Sequence, residues 1–282
     1  MNTTHHHSHH DLIGGGLLES VLEQEGKVLD EPTSGQAWYE LGLRQQANEQ
    51  EKLAIAALKR SLELDPNLSD ARLALSISYS NENRKSESLR EMERWTEDTM
   101  SKINKYSNVI NMSGLRHMKE EEEAEEEEES IEARYSNLIE TLLSLARLGG
   151  REEGCVTVDE DLQIALGVLF NGKEEYEKAS DCFGTALSVR PSDPILFNRL
   201  GATLANNGKA DEAIEYYLRA LELLPSYVRA RYNLSISLIN LGNYMESIEH
   251  LLIGLETQVE DQGSSGVTSE VLWQTLEINC SL

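Results

Sequence analysis

Cysteine, proline, aromatic residues and positive charge are all scarce in this sequence. Its 282 residues include three cysteines, five prolines and 6% aromatic residues. The cysteines at 155, 182 and 280 are an odd number at spacings that fit no zinc or redox motif, so we interpret them as thiols without a site function in a reducing cytosol. No apolar run approaches the roughly 18 residues that predict a transmembrane helix.

Negative charge dominates the composition. The formal net charge is −25, and nine glutamates fall in one run, from Glu120 to Glu129 with Ala124 between them. Such a surface repels nucleic acid and anionic membranes and attracts basic ligands, so we expect basic or neutral peptides as partners, no nucleic acid and no direct membrane insertion. The glutamate run itself is either a solvated loop or a docking site for a basic partner.

The first residues stand apart from the rest of the chain. The stretch MNTTHHHSHH resembles a purification tag, and we treat residues 1–11 as a tag or disordered segment. A natural metal-binding histidine cluster is the alternative, but no other ligand set accompanies it, so no metal or cofactor is predicted.

A repeat with a period of 34 residues organises the remaining sequence. Pro32 and Pro66 are 34 residues apart, and so are Pro191 and Pro225. Before these prolines, large and small apolar residues recur in phase, in the pattern of the tetratricopeptide repeat, a pair of antiparallel helices. Small residues at the eighth position of each repeat let the two helices approach closely, and proline ends the second helix. The sequence therefore predicts an all-α fold, a solenoid of helical hairpins.

The phase of the repeat divides the chain into two arrays. We predict an N-terminal array over residues 12–99 with a partial repeat and two complete ones, and a C-terminal array of three repeats over residues 158–258. Between them, residues 100–157 form an acidic linker and a hinge helix whose apolar stripe begins at Ile131 and ends at Gly149. Residues 259–282 are a loop and a C-terminal capping helix, with Ser269 as its N-cap.

Asparagines collect at positions that face the concave side of the predicted solenoid. Asn198, Ala202 and Asn206 are four residues apart on one helix, and asparagine recurs at the thirteenth position of three repeats. Asparagine is a poor residue inside a helix, so either these side chains are solvated or bridge repeats, or they bind a ligand. Each carboxamide offers two donors and an acceptor, as recognition of a peptide backbone requires.

Several ten-residue stretches resemble the family of peroxisomal import receptors for type 1 targeting signals. The matching blocks are ANEQEKLAIAALKRSLEL (47–64), ALGVLFN (165–171), ALSVRP (186–191), FNRLGATLAN (197–206) and RARYNLSISLINLG (229–242). The resemblance implies that the chain binds the C-terminal Ser-Lys-Leu-type tripeptide of cargo proteins, including its free carboxylate. It implies a peptide-binding set of Ser80, Asn81, Glu82, Asn198, Arg199, Ala202, Asn206, Arg229, Asn233, Ser237 and Asn240.

The resemblance also implies a place in the cell. It predicts a cytoplasmic receptor that cycles to the peroxisomal membrane, where the docking machinery engages an N-terminal half that this sequence does not include. The sequence departs from the family at Ser80, where threonine is common, and at Ser235, where the family has glycine. We expect small changes in packing from both.

Three other functions compete with this one. A paralogous adaptor that regulates a membrane channel would have the same groove. A co-chaperone-type carboxylate clamp relies on several groove lysines and arginines, whereas this groove has mostly asparagines. An enzyme is not expected, since no nucleophile with a base, metal cluster or phosphate loop is present in the sequence.

Overall fold

The computed structural model describes residues 19–106, 130–149, 159–261, 263, 266 and 268–281. Within these ranges the chain forms thirteen α-helices and no strand, as predicted. The tag-like residues, the glutamate run and Cys155 lie outside the described residues. None of the described helices is long and apolar enough to cross a bilayer.

The helices pair as hairpins in the predicted phase. The first array contains α1 (Val21–Asp30), α2 (Gly35–Ala47), α3 (Glu51–Leu64), α4 (Ser69–Asn81) and α5 (Lys85–Tyr106). A single helix follows, α6 (Ile131–Gly149). The second array contains α7 (Glu160–Gly172), α8 (Tyr176–Val189), α9 (Pro194–Asn206), α10 (Ala210–Leu223), α11 (Val228–Asn240) and α12 (Tyr244–Glu260), and α13 (Glu270–Cys280) packs on its end.

Small residues allow the two helices of a hairpin to touch. A Cβ atom added to Gly167 of α7 would lie 2.6 Å from the ring of Phe183 in α8, and one added to Gly201 of α9 would lie 2.8 Å from the ring of Tyr217 in α10. Both aromatic side chains are 1% exposed. The expected close approach at the eighth position is therefore confirmed, and a methyl group there would displace a buried ring.

The turn between the two helices of each hairpin has a left-handed residue at one fixed place. The φ angles are 58° at Glu49, 56° at Asn83, 61° at Glu174, 76° at Gly208 and 80° at Gly242. Only glycine adopts this conformation without a steric cost, because it has no Cβ atom. Three of the five turns therefore carry local strain that the other two avoid.

Two details differ from the sequence prediction. Helix α5 runs to Tyr106, beyond the predicted limit of the first array at residue 99. Helix α13 begins after Ser269 as expected, but the apolar face predicted for it is only partly buried. Leu272 is fully buried, whereas Val271 and Ile278 are 43% and 60% exposed. One neighbouring helix covers a narrower stripe than the sequence pattern provides.

The two arrays meet at two separate places. Helix α6 packs against α5 and α7, and α4 also contacts α7. At the other junction α2 contacts α11. There, buried Arg44 of α2 forms an ion pair with Asp261, which follows α12, and the Gln258 side chain donates to the Asn48 carbonyl oxygen at 2.7 Å. The solenoid thus closes on itself around a central groove.

Cys182 and Cys280 are free thiols. Burial raises the pKa of Cys182 to about 11, so this thiol stays protonated at neutral pH. Cys280 is exposed near the end of α13.

We predict opposite effects of substitutions at two equivalent turns. Glu174→Gly removes the strain of a left-handed residue and should stabilise the fold by about 1 kcal/mol, whereas Gly208→Ala should destabilise it by a similar amount. A Cβ atom at Gly208 would meet nothing within 4 Å, so strain is the only cost. Urea denaturation followed by circular dichroism measures both changes, and a stabilising Gly208→Ala would contradict the explanation.

Candidate functional site

The groove between the arrays holds a cavity of about 430 Å³. The first helices of the repeats, α2, α4, α7, α9 and α11, supply most of its walls, and α6 adds Tyr135. The sequence-derived set contributes Ser80, Asn81, Asn198, Arg199, Ala202, Asn206, Arg229 and Asn233 to the lining. The cavity therefore joins two helices of the first array to three helices of the second.

Three members of that set lie elsewhere. Ser237 is 1% exposed and packs beside Tyr217, so its hydroxyl faces the interior between α10 and α11. Glu82 and Asn240 are exposed at the ends of α4 and α11 and are outside the cavity lining. A residue near the end of a helix can face the concave side of an ideal repeat and still lie outside the groove of a closed solenoid.

Two asparagines from neighbouring repeats hold each other in place. The Asn233 Nδ2 donates to Asn198 Oδ1 at 2.9 Å, and the Asn198 Nδ2 donates to the Tyr227 hydroxyl at 3.3 Å. Asn198 is 4% exposed, so its amide is fixed in a dry environment. Burial raises the pKa of Tyr227 to about 12, and its hydroxyl remains neutral.

Arg229 reaches from the second array into the first. Its Nε donates to the Gln46 carbonyl oxygen at 3.1 Å and lies 3.1 Å from Glu49 Oε2, and its Nη2 lies 2.5 Å from Glu51 Oε1. Burial lowers the pKa of Arg229, but the Glu49 and Glu51 carboxylates outweigh that effect and raise the pKa above its ordinary value. Arg229 is therefore protonated, and the Glu49 and Glu51 carboxylates already balance its positive charge.

Glu51 serves both arrays at once. Its Oε1 accepts a hydrogen bond of 2.5 Å from Asn81 Nδ2 of α4 and also faces Arg229. Its other oxygen, Oε2, is buried and makes no hydrogen bond within the described part of the chain. The neighbouring Glu49 is partly buried, with 12% of its side chain exposed, and burial raises its pKa, an effect that Arg229 opposes. Two carboxylates thus share one cation at the wall of the groove.

Arg199 is different, because it has no ion pair among the described residues. Burial lowers its pKa, and the Tyr227 and Asp193 side chains oppose that change only in part. A cation that lines a cavity and has no ion-pair partner is a site where an anion binds favourably. Of the two cavity arginines, Arg199 is the one available to an anionic ligand.

Sequence reasoning missed several lining residues. Asn171 occupies an inward position of its repeat and lies within the block ALGVLFN, so the same repeat frame could have found it. Its Nδ2 donates to Thr203 Oγ1 at 2.9 Å, while its buried Oδ1 has no partner among the described side chains and backbone. Glu49 and Glu51 are not part of the lining but contact Arg229, and they gave no such signal because a linear repeat frame places neither of them in the groove.

Family models of the tetratricopeptide repeat match residues 35–68, 194–227 and 216–249. The chain is 41% identical over 251 residues to the peroxisomal targeting signal receptor of Candida albicans, an alignment that covers 88% of this chain and 39% of that protein. It is 40% identical to the receptor of the same name from Yarrowia lipolytica, over 92% of this chain and 40% of that protein. The chain spans about two-fifths of the length of these relatives.

A relative with a different name also matches. The PEX5-related protein of the mouse is 36% identical over 199 residues, which are 70% of this chain and 33% of the mouse protein. Among solved structures, a thermophilic tetratricopeptide-repeat protein of Thermus thermophilus has a TM-score of 0.46 and 17% identity, and the match covers 88% of this chain and all of that one.

We predict that Arg229→Met destabilises the closed arrangement. The change leaves Glu49 and Glu51 buried without their cation, which should cost about 3 kcal/mol. Arg219→Met is the matched control, because Arg219 makes only an exposed pair with Glu222, and its loss should cost less than about 1 kcal/mol. Urea denaturation of both variants measures the difference, and equal midpoints would show that the pair between the arrays contributes nothing.

Proposed function

The chain belongs to the family of the peroxisomal targeting signal receptors, and we propose that it binds the C-terminal Ser-Lys-Leu-type tripeptide of cargo proteins in the groove between its two arrays. The observation that carries the proposal is a cavity that combines several asparagine amides with Arg199, a cation with no ion pair among the described residues. A terminal carboxylate needs this combination of donors and positive charge.

The donors have the right number and rigidity for a carboxylate. Hydrogen bonds to a charged group contribute about 1.5–3 kcal/mol each, provided that the donors need little reorganisation. Asn198 and Asn233 are held in position by their bond to each other, and Arg199 follows Asn198 on the same helix. Asn81 approaches from the opposite array. The bound carboxylate would therefore bridge the arrays.

The rest of the cavity suits the other parts of the tripeptide. Val168, Ile195 and Ala202 line it beside Arg199 and offer an apolar surface for the terminal leucine side chain, whose burial contributes about 1.5–3 kcal/mol. The net charge of −25 attracts a basic penultimate residue. Exposed Glu82, next to Asn81, is placed to add to that attraction at the rim.

The cellular part of the proposal rests on the relatives. The names of the Candida and Yarrowia proteins support a role in import into peroxisomes. We propose that the chain, with the segments that complete its relatives, acts in the cytoplasm and cycles to the docking machinery of the peroxisomal membrane. The hinge role of residues 100–157 stays a prediction, since α6 is their largest described part.

The match to the mouse PEX5-related protein supports a second candidate, a paralogous adaptor that uses the same groove for another partner. Both candidates use the same groove, so the groove alone does not separate them. Import of a fluorescent protein ending in Ser-Lys-Leu into peroxisomes, in cells that depend on the full-length receptor, does separate them.

We expect the protein to bind a peptide ending in Ser-Lys-Leu with a free carboxylate at least about a hundredfold more tightly than the amidated peptide, because amidation removes the charge that Arg199 recognises. Isothermal titration calorimetry with the two peptides measures the ratio. No binding of either peptide, or equal binding of both, would refute the proposed function.

Asn233→Asp should weaken the binding of the free-acid peptide by about tenfold or more, because it places a negative charge beside the ligand carboxylate and removes the donor to Asn198. Asn67→Asp makes the same charge change on an exposed turn before α4 and should leave the affinity unaltered. Fluorescence anisotropy with a labelled peptide compares the variants. Unchanged affinity of Asn233→Asp would remove this residue from the site.

A further inference from the structure

Among the described residues, Glu51 is the carboxylate that contacts two groove residues of the implied peptide-binding set. Its Oε1 accepts from Asn81 Nδ2 at 2.5 Å and lies 2.5 Å from Arg229 Nη2. Asn81 belongs to the first array and Arg229 to the second, so this one oxygen joins donors from both sides of the groove. A peptide carboxylate has the same charge and the same acceptor atoms.

We propose that Glu51 is an internal competitor of the ligand, whose carboxylate holds the donors of Asn81 and Arg229 until the terminal carboxylate of a peptide displaces it. This inference rests on the proposed function. It differs from that function in predicting that a residue in contact with the cavity lining opposes binding and so sets the affinity.

The hydrogen bonding of the Glu51 carboxylate is incomplete, which favours its displacement. Its second oxygen, Oε2, is buried and has no hydrogen bond from the described residues. The side chain of Glu51 is 6% exposed, so water compensates little for that missing bond. A ligand carboxylate with hydrogen-bond partners for both of its oxygens would bind these donors better than Glu51 does.

Arg229 stays in place when Glu51 leaves. Its Nε is held by the Gln46 carbonyl oxygen and by Glu49 Oε2, both at 3.1 Å. Displacement therefore frees Nη2 without releasing the guanidinium from the groove wall. The contact of Nη2 with Glu51 Oε1 is an ion pair without hydrogen-bond geometry, so Nη2 is a buried donor to which a ligand oxygen could bind once Glu51 leaves.

The displaced Glu51 carboxylate also remains stabilised by its place in the chain. Glu51 is the first residue of α3, where the unpaired backbone N–H groups and the helix dipole stabilise a negative charge. Remaining in place would put three carboxylates, those of Glu49, Glu51 and the ligand, around one arginine. Exchange is therefore favoured over simultaneous binding.

This arrangement adds a threshold for binding. A ligand that lacks a terminal carboxylate has no means of replacing Glu51 and leaves the donors engaged. A peptide with a terminal carboxylate gains affinity only when its interaction with these donors is stronger than that of Glu51. The competition thus improves discrimination between free-acid and amidated C-termini at a cost in absolute affinity.

The test uses Glu51→Gln. This variant keeps an acceptor for Asn81 but removes the charge that holds Arg229, and we expect it to bind a free-acid peptide ending in Ser-Lys-Leu about fivefold more tightly than the unsubstituted protein. Its affinity for the amidated peptide should change by less than about twofold. The matched control is Glu63→Gln, at an exposed site of the same helix, which should change neither affinity.

The outcomes separate this inference from the proposed function. If the unsubstituted protein prefers the free acid but Glu51→Gln binds it equally or more weakly, Glu51 positions the donors and the competitor role is wrong. If the unsubstituted protein shows no such preference, the proposed function and the inference both fall. Should Glu51→Gln fail to fold, Glu51→Asp provides the measurement, since its shorter side chain cannot reach both donors and should also raise the free-acid affinity.

Discussion

Buried charge pairs between the two arrays determine the shape of this protein. Arg44 of the first array meets Asp261 after the last repeat, and Arg229 of the second array meets Glu49 and Glu51 of the first. The cations cross the junction in opposite directions. An ion removed from water must keep its partner or incur a large desolvation cost, so each pair tolerates only a narrow range of distances. These pairs therefore restrict how the two arrays can lie against each other.

At Glu49, a strained backbone conformation accompanies the contact with Arg229. Glycine stands at the equivalent turn in two later repeats, and it would be the easier residue at a φ of 58°. Glycine there would have no carboxylate to place beside Arg229. Strain in the backbone of a turn and an unusual buried charge thus occur in the same residue, a combination that marks functional regions of proteins.

Much of the fold was predictable because the repeat imposes the same requirement every 34 residues. Small residues at Gly167 and Gly201 indicated where helices touch, and the structure confirms both contacts. The inward asparagines followed from the same frame. Glu51 could not be found in this way, because its partner Arg229 is far away in sequence and the two meet only when the solenoid closes. Ser237 entered the site through the family resemblance and lies outside the cavity lining, because a linear sequence does not show which neighbour fills the space beside a helix.

Closure also changes how the stability of this protein depends on its number of repeats. An open solenoid has contacts only between adjacent repeats, so units can be added or deleted with a proportionate effect on stability. Here the hydrogen bond from the Val21 backbone to Asp261 links residues 240 positions apart. Forming it requires nearly the whole chain to be ordered first, at the entropic cost of a very long loop. Gain or loss of a single repeat would therefore move the two ends of the solenoid apart and break the contacts that close it.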